Sequence, residues 1–355
     1  MEIIYTKDPQ QLEKWDAYIL KEDKGSHLML SGWLQSFRSY GFDYEVAICF
    51  ENDRIVGGFG AVIAKALWFK FFTVPYGPIV SEGYENHLDE LISKVPERAK
   101  HYNCCYCHIT LPFSETSNAH VYNKLPELPV LKDVKEGHRF TYVYSSNGLN
   151  WVDFKSAPDE ETLLESFRAS VRRYIRSSQR KDLEVRFLGN ESDIKAGYEL
   201  CLENARNNNY ALRDWLSFKP TLTGMIADKK AKFMAAYKDG TLKGAALLVG
   251  AGNYNTYILG GTTKEKPDLL VGHFLHWEAI KLSFNENLRG YNISLGGSAG
   301  VVNLKNSYAD AQIMFTNSKY HWILKPGYFR LYRFFEKKLK PHKKVLSKIL
   351  ALLKR

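Results

Sequence analysis

The chain repeats a strand-turn-strand unit at an offset of 187 residues, and this repeat restricts the fold more than any other feature. The first copy runs from Tyr44 to Phe50, turns at Glu51-Asn52-Asp53 and returns from Arg54 to Ile63. The second runs from Lys232 to Lys238, turns at Asp239-Gly240 and returns from Thr241 to Gly250. Turn residues between apolar runs are hairpin signals. In each return arm an apolar residue stands two places before a glycine: Ile55 and Gly57, then Leu242 and Gly244. A period of half the chain is no solenoid. It predicts an α/β (α+β) chain of two similar domains, each a mostly antiparallel mixed sheet flanked by helices. The length of 355 residues suits two domains, and 45% hydrophobic with 14% aromatic residues supplies two cores.

The domain boundary is expected near residues 145–157, where Ser145-Ser146-Asn147-Gly148 and Ser156-Ala157-Pro158 interrupt the pattern. Ser156 is placed to cap a helix, with Pro158 in its first turn and Asp159, Glu160 and Glu161 at the positive end of the macrodipole. The helix is expected to run to about Arg180, with Leu164, Phe167, Val171 and Ile175 as its buried stripe. Arg168, Arg172, Arg176 and Arg180 recur at i+4. Such a row suits phosphate, as in RNA or a nucleotide-linked sugar; it also suits a solvated or salt-bridged face.

The formal charge of +10 is not spread evenly. From Lys325 to Arg355 there are eleven Lys or Arg against Glu336, so residues 1–324 are neutral. Beyond Pro341 the sequence reads as a basic amphipathic helix, with Val345, Leu346, Ile349, Leu350 and Leu353 opposite Lys343, Lys344, Lys348 and Lys354. That pattern fits an anionic membrane surface, RNA phosphates, or a stripe packed on the body. The N-terminal residues lack a signal peptide's basic start and apolar run, and no stretch approaches a membrane span. The expectation is a cytoplasmic protein, peripheral at most to the inner face of the plasma membrane. Five cysteines without zinc-ribbon or redox spacing fit reduced thiols.

Chemistry is best sought where a helix-like stretch, Leu269 to Ser283, runs into a strand, Tyr291 to Leu295, and then Gly296-Gly297-Ser298-Ala299-Gly300 with Lys305 beyond. This order places backbone amides and an amine at a strand's C-terminal end, a position suited to anions. Lys305 with the amides of Gly296 and Gly297 is a candidate set of donors for a developing oxyanion. Trp33, Tyr76 and Tyr257 are candidates to stack on a sugar, base or peptide, although core packing is the ordinary fate of aromatic residues. His273 and His276 share a helix face that Glu278 does not, so no metal site is expected there.

Several segments together resemble the peptidoglycan bridge-forming aminoacyltransferases, the FemABX family within the GNAT superfamily. They are Ser31 to Phe37, Val74 to Val80, Phe167 to Glu184, His273 to Lys281 and Asn292 to Tyr308, spread over nearly the whole chain in the family's order. The resemblance implies two GNAT-like domains at 1–148 and 149–317, the first completed by about 318–335, with 336–355 as a basic tail. It implies transfer of an amino acid from aminoacyl-tRNA to the stem peptide amine of a nucleotide- or lipid-linked peptidoglycan precursor, without a separate cofactor. Lys305 matches the family's lysine, followed by Tyr308, while Leu304 and Ala309 depart from its pattern. Trp33, Arg38, Tyr76 and Gly77 fall to the precursor's sugar-phosphate end, and Arg168 and Arg172 to phosphates. The same superfamily offers two alternatives: an acyl-CoA N-acyltransferase acting on an envelope sugar or amine, and a noncatalytic binding module at a membrane. The stretch Lys264 to His273, with Gly272 as its single glycine, is a poor pyrophosphate cradle.

Overall fold

The computed structural model describes residues 1–154 and 157–339. Two sheets form the frame. The first has eight strands; Glu2–Thr6, Asp43–Glu51, Arg54–Ala66, Phe69–Thr73, Tyr106–Thr110, Lys319–Ile323 and Lys135–Glu136 lie side by side in that order, and Ile79–Val80 pairs with Arg54–Ala66. The second has seven: Ala311–Met314, Gly148–Asp153, Gly290–Asn292, Tyr254–Thr262, Thr241–Ala251, Ala231–Lys238 and Glu184–Phe187. Each sheet contains one parallel pairing, Phe69–Thr73 with Tyr106–Thr110 and Tyr254–Thr262 with Gly290–Asn292; the other pairings described are antiparallel.

The two hairpins are alike in detail. Positive φ at Asn52 (48°) and Asp53 (59°), and at Asp239 (49°) and Gly240 (73°), gives the mirror-image turn whose twist suits a tight hairpin. Cys49 pairs with Gly57 and Phe50 with Ile55, leaving Val56 out of register; Ala236 pairs with Gly244 and Tyr237 with Leu242, leaving out Lys243. The apolar-x-glycine signature therefore marks one β-bulge in each copy. Its glycine has different neighbours. A Cβ on Gly57 would meet the Ile79 carbonyl at 2.6 Å, and one on Gly244 would meet Val271 Cγ1 at 2.5 Å.

The halves share one core. A continuous buried cluster joins Leu12, Trp15 and Ile19 to Tyr198, Phe218, Phe233 and Leu247. Across the same seam the Asp16 carboxylate accepts from the Lys230 amine at 2.7 Å and from both the Ser31 amide and hydroxyl. Tyr254 donates to the Gly25 carbonyl at 3.0 Å. The chain then crosses back: Lys319–Ile323 pairs with Tyr106–Thr110, and the helix Pro326–Phe334 lays Phe329 on Tyr106 and Tyr332 on Phe71.

The single helix expected up to Arg180 is two, Glu160–Ser166 and Ala169–Gln179, parted by extended backbone at Phe167 and Arg168. The cause is Phe167, which turns inward between Trp277 and Tyr308. Asp159 caps the first helix by accepting from the Thr162 amide. Ser156, the expected cap, and the tail from Lys340 onward lie outside the described residues. All five cysteines are buried as free thiols, with Cys107 inside the strand Tyr106–Thr110.

Candidate functional site

The parallel strand pair of the second sheet parts early. Thr256 faces Asn292, the last residue of its strand; Ile293 then bonds to the Asn150 carbonyl, and Ser294 takes φ +63° and turns the chain away. Tyr257, on the continuing strand, is the first residue past this fork and pairs with Leu248 just before a bulge at Ile258. The loop Leu295 to Ser298 leads into the helix Ala299–Tyr308, which returns Lys305 over the fork. The Lys305 amine donates to Ser294 Oγ at 2.7 Å and to the Gly296 carbonyl at 2.6 Å, and lies 4.9 Å from the centre of the Tyr257 ring. Lys305 is 3% exposed, and burial pushes its amine down to about 8.

Aromatic and histidine side chains surround the amine. His276 packs 4.9 Å from the Tyr257 ring, and its Nδ1 is 3.3 Å from the Tyr291 hydroxyl. Burial first, then the Lys305 charge, pushes His276 down to about 3, so it is neutral at physiological pH. Farther out, His273 Nδ1 is 2.8 Å from the Tyr308 hydroxyl, and its ring stacks on Tyr174. Asn150 braces the turn by donating to the Ser294 carbonyl and to Asn306 Oδ1. Together these residues hold one ammonium in a poorly solvated niche, next in the chain to the exposed Gly296–Gly300 segment. Among the described residues no group of three or more His, Cys, Asp or Glu is set to hold a metal ion.

The equivalent fork in the first sheet is closed. Thr73 faces His108, but the Val74 amide still bonds to the His108 carbonyl and the Gly77 amide to the Thr110 carbonyl at 2.7 Å. Tyr76, fully buried, fills the space and packs against Phe315. Where Ser294 holds Lys305 in the second sheet, Thr110 Oγ1 meets His138 Nε2 at 3.1 Å.

The expected contacts divide accordingly. Lys305, Tyr257, Gly296 and Gly297 come together at the open fork, but Gly296 offers Lys305 its carbonyl, an acceptor, in place of an amide donor. Tyr308 is 1% exposed and serves His273, so it braces the site from below. Tyr76 and Gly77 are core, and Trp33 is half-buried between His27 and Phe218 at the seam. Arg38 is exposed, over the Tyr44 ring. Arg172 donates to the carbonyls of Glu165 and Phe167, satisfying the end of the preceding helix, and Arg176 pairs with Glu161 and Glu165. Arg168 is exposed beside a shallow cleft of about 450 Å³ lined by Arg172, Arg173, Arg176 and Arg180. Ser294 and Asn150 escape the sequence reading, and His276 enters it only as a possible metal ligand, since only the fold brings the three to Lys305.

Residues 165–300, which frame this fork, match the acetyltransferase (GNAT) domain model. No curated protein matches the chain in sequence. Among solved structures it is similar to FemX, at 15% identity and a TM-score of 0.76, covering 93% of this chain and 99% of that one. The chain has the FemX-like tandem GNAT fold. It is also similar to the C-terminal domain of a putative lysylphosphatidylglycerol synthetase from Agrobacterium fabrum (10% identity, TM-score 0.50, 88% and 90% covered). A third relative in shape is L-PGS from Bacillus licheniformis (11% identity, TM-score 0.51, 94% and 97% covered). Among the described residues no helix is long and apolar enough to cross a membrane.

Proposed function

We propose that the protein is an aminoacyltransferase, moving an amino acid from aminoacyl-tRNA to the stem peptide amine of a nucleotide- or lipid-linked peptidoglycan precursor. The observation that carries this reading is the buried Lys305 ammonium at the open fork of a GNAT-type sheet. In the reaction an amine nitrogen attacks the ester carbonyl; a C–N bond forms, the ester C–O bond breaks, and a proton passes from the amine to the departing ribose oxygen. Negative charge builds on the carbonyl oxygen and then on the leaving oxygen. An ammonium with an amine pKa near 8 is largely protonated at neutral pH, so it donates to either oxygen. A donor of this kind in a water-poor site lowers the barrier by about 3 kcal/mol.

An acyl-CoA donor is disfavoured by the start of the helix Val271–Asn285. A CoA pyrophosphate needs free amides and positive charge at a helix N-terminus. Here the Asp268 carboxylate already accepts from the Leu270 amide at 2.8 Å and puts negative charge at that end. FemX, and the two lysylphosphatidylglycerol-type structures by their names, support an aminoacyl donor in preference to CoA.

The test is in vitro transfer followed by mass spectrometry. Purified protein given aminoacyl-tRNA and a precursor pentapeptide should add one amino-acid mass to the peptide, and stem peptides from cells lacking the protein should lack that mass. Acyl addition from CoA thioesters, with none from any aminoacyl-tRNA, would overturn the reading.

A further inference from the structure

The helix Pro326–Phe334 is apolar on both sides. Phe329 and Tyr332 face the first sheet at 3% exposure each, whereas Tyr328 (58%), Leu331 (56%) and Phe334 (57%) form an outward stripe at i, i+3 and i+6. A second, unrelated element extends this stripe. The hairpin joining Arg54–Ala66 to Phe69–Thr73 bends at Leu67, with φ +55°, and presents Trp68 at 79% exposure. The contacts are continuous, since the Phe69 ring lies 6.5 Å from both Trp68 and Tyr328 and 5.6 Å from Tyr332. Four large apolar side chains from two segments thus form one patch that no described residue covers, larger than scattered surface residues account for.

The charge around the patch is positive. Lys65 and Lys70 pair across the hairpin stem, Lys325 lies 5.7 Å from the centre of the Tyr328 ring, and Arg330 is exposed within the helix. Arg333 alone is neutralised, by Glu336. Beyond Leu339 the chain continues for sixteen residues with Lys340, Lys343, Lys344, Lys348, Lys354 and Arg355 and no acidic residue. The ten positive charges in excess over the whole protein all fall from Lys325 onward, in the same stretch of sequence that carries Tyr328, Leu331 and Phe334.

We infer that Trp68 with Tyr328, Leu331 and Phe334 is a docking face for the surface of an anionic lipid bilayer. Indole and phenol rings settle at the headgroup level, where one edge is apolar and the other wet. Basic residues beside them gain roughly 1 kcal/mol each near an anionic surface. A second copy would have to meet these basic residues with an acidic face, but the chain up to residue 324 is neutral overall. The bilayer supplies both the charge and the apolar layer. This face is separate from the Lys305 fork, so it stands or falls independently of the proposed reaction.

The test is co-sedimentation of the full chain with vesicles of mixed phosphatidylglycerol and phosphatidylcholine, against vesicles of phosphatidylcholine alone. The wild type should bind the mixed vesicles, and brominated lipid should quench tryptophan emission, with the quenched component lost in Trp68→Phe. The triple variant Trp68→Ser, Tyr328→Ser, Phe334→Ser should bind at least about tenfold more weakly, from the lost apolar insertion, while its circular dichroism and melting match the wild type. If Trp68→Ser alone must be used because the triple variant is unfolded, quenching should still vanish and binding weaken. Undiminished binding by the aromatic variants would overturn the inference and leave the charges alone as the anchor. A doubled mass in solution that the variants return to monomer, without vesicle binding, would overturn it in favour of a self-interface.

Discussion

Both halves of the molecule carry the same parallel strand pair on the same bulged hairpin, yet one fork is shut and the other is open. In the first, Val74 and Gly77 keep their backbone bonds to the neighbouring strand beyond His108, and Tyr76 occupies the gap. In the second, the pairing stops at Asn292, Ser294 turns away, and a lysine takes the place where the first half has a histidine. The difference shows how a duplicated fold separates stability from chemistry. A zipped fork contributes apolar packing and satisfied amides; a parted one exposes a niche in which a charge is held at a cost.

That contrast can be broken by substitutions that treat the two forks as alike. The largest effect on stability should come from Tyr76→Ala, which empties a fully buried position and should cost about 4 kcal/mol in denaturant unfolding. A cost below that of the equivalent change at half-buried Tyr257 would show that the first fork is not the structural one. Next is the seam, where Lys230→Met leaves the buried Asp16 carboxylate with only Ser31 as partner and should cost about 3 kcal/mol. If the two halves instead unfold separately with the first unaffected, the shared core is less cooperative than its packing implies.

Acid should act at both forks, on His276 at the open one and on three histidines at the closed one. His108, His138 and His321 lie together around the closed one, with His108 and His138 stacked at 3.8 Å. Burial pushes all three down, His138 to about 4, and the nearby Lys319, Lys135 and Arg139 push in the same direction. Groups with depressed folded pKa values contribute stability that is present above the unfolded value near 6.5 and lost as pH falls toward the folded value. The His138 share of the loss between pH 6.5 and 4 should be about 2 kcal/mol, measured by chemical denaturation, and His138→Gln should remove that share. An unchanged profile would place the acid sensitivity elsewhere. The smallest effect belongs to Tyr257→Leu, which removes the ring face beneath the Lys305 amine and should slow transfer about tenfold with little change in melting. Transfer at the wild-type rate would remove Tyr257 from the site.

Much of this frame was legible in the sequence because it depends on local rules. The hairpins, their turns and the bulge glycines Gly57 and Gly244 follow from turn chemistry and alternation over short stretches. A helix start in this region was visible too, but the sequence reading caps it at Ser156, whereas Asp159 is the cap and Glu160 the first helical residue. What the sequence hid depends on distant contacts. Phe167 breaks the arginine helix only because Trp277 and Tyr308 wait for it, and Arg172 becomes a helix end-cap as a result. Tyr76 and Tyr257 are both tyrosines just past a fork, and nothing local indicates that one is core and the other lines the niche. Lys305 was singled out beyond a glycine loop, but its helix, its burial and its bond to Ser294 emerge only when the loop folds back.

The most direct measurement is single-turnover transfer from aminoacyl-tRNA by Lys305→Met, alongside its melting curve. Burial disfavours the Lys305 charge, so its removal should relieve strain on the fold while removing the donor at the open fork. The account predicts a loss of at least about a hundredfold in transfer with unfolding no earlier than in the wild type. Transfer at the wild-type rate by a fully folded Lys305→Met protein would contradict it.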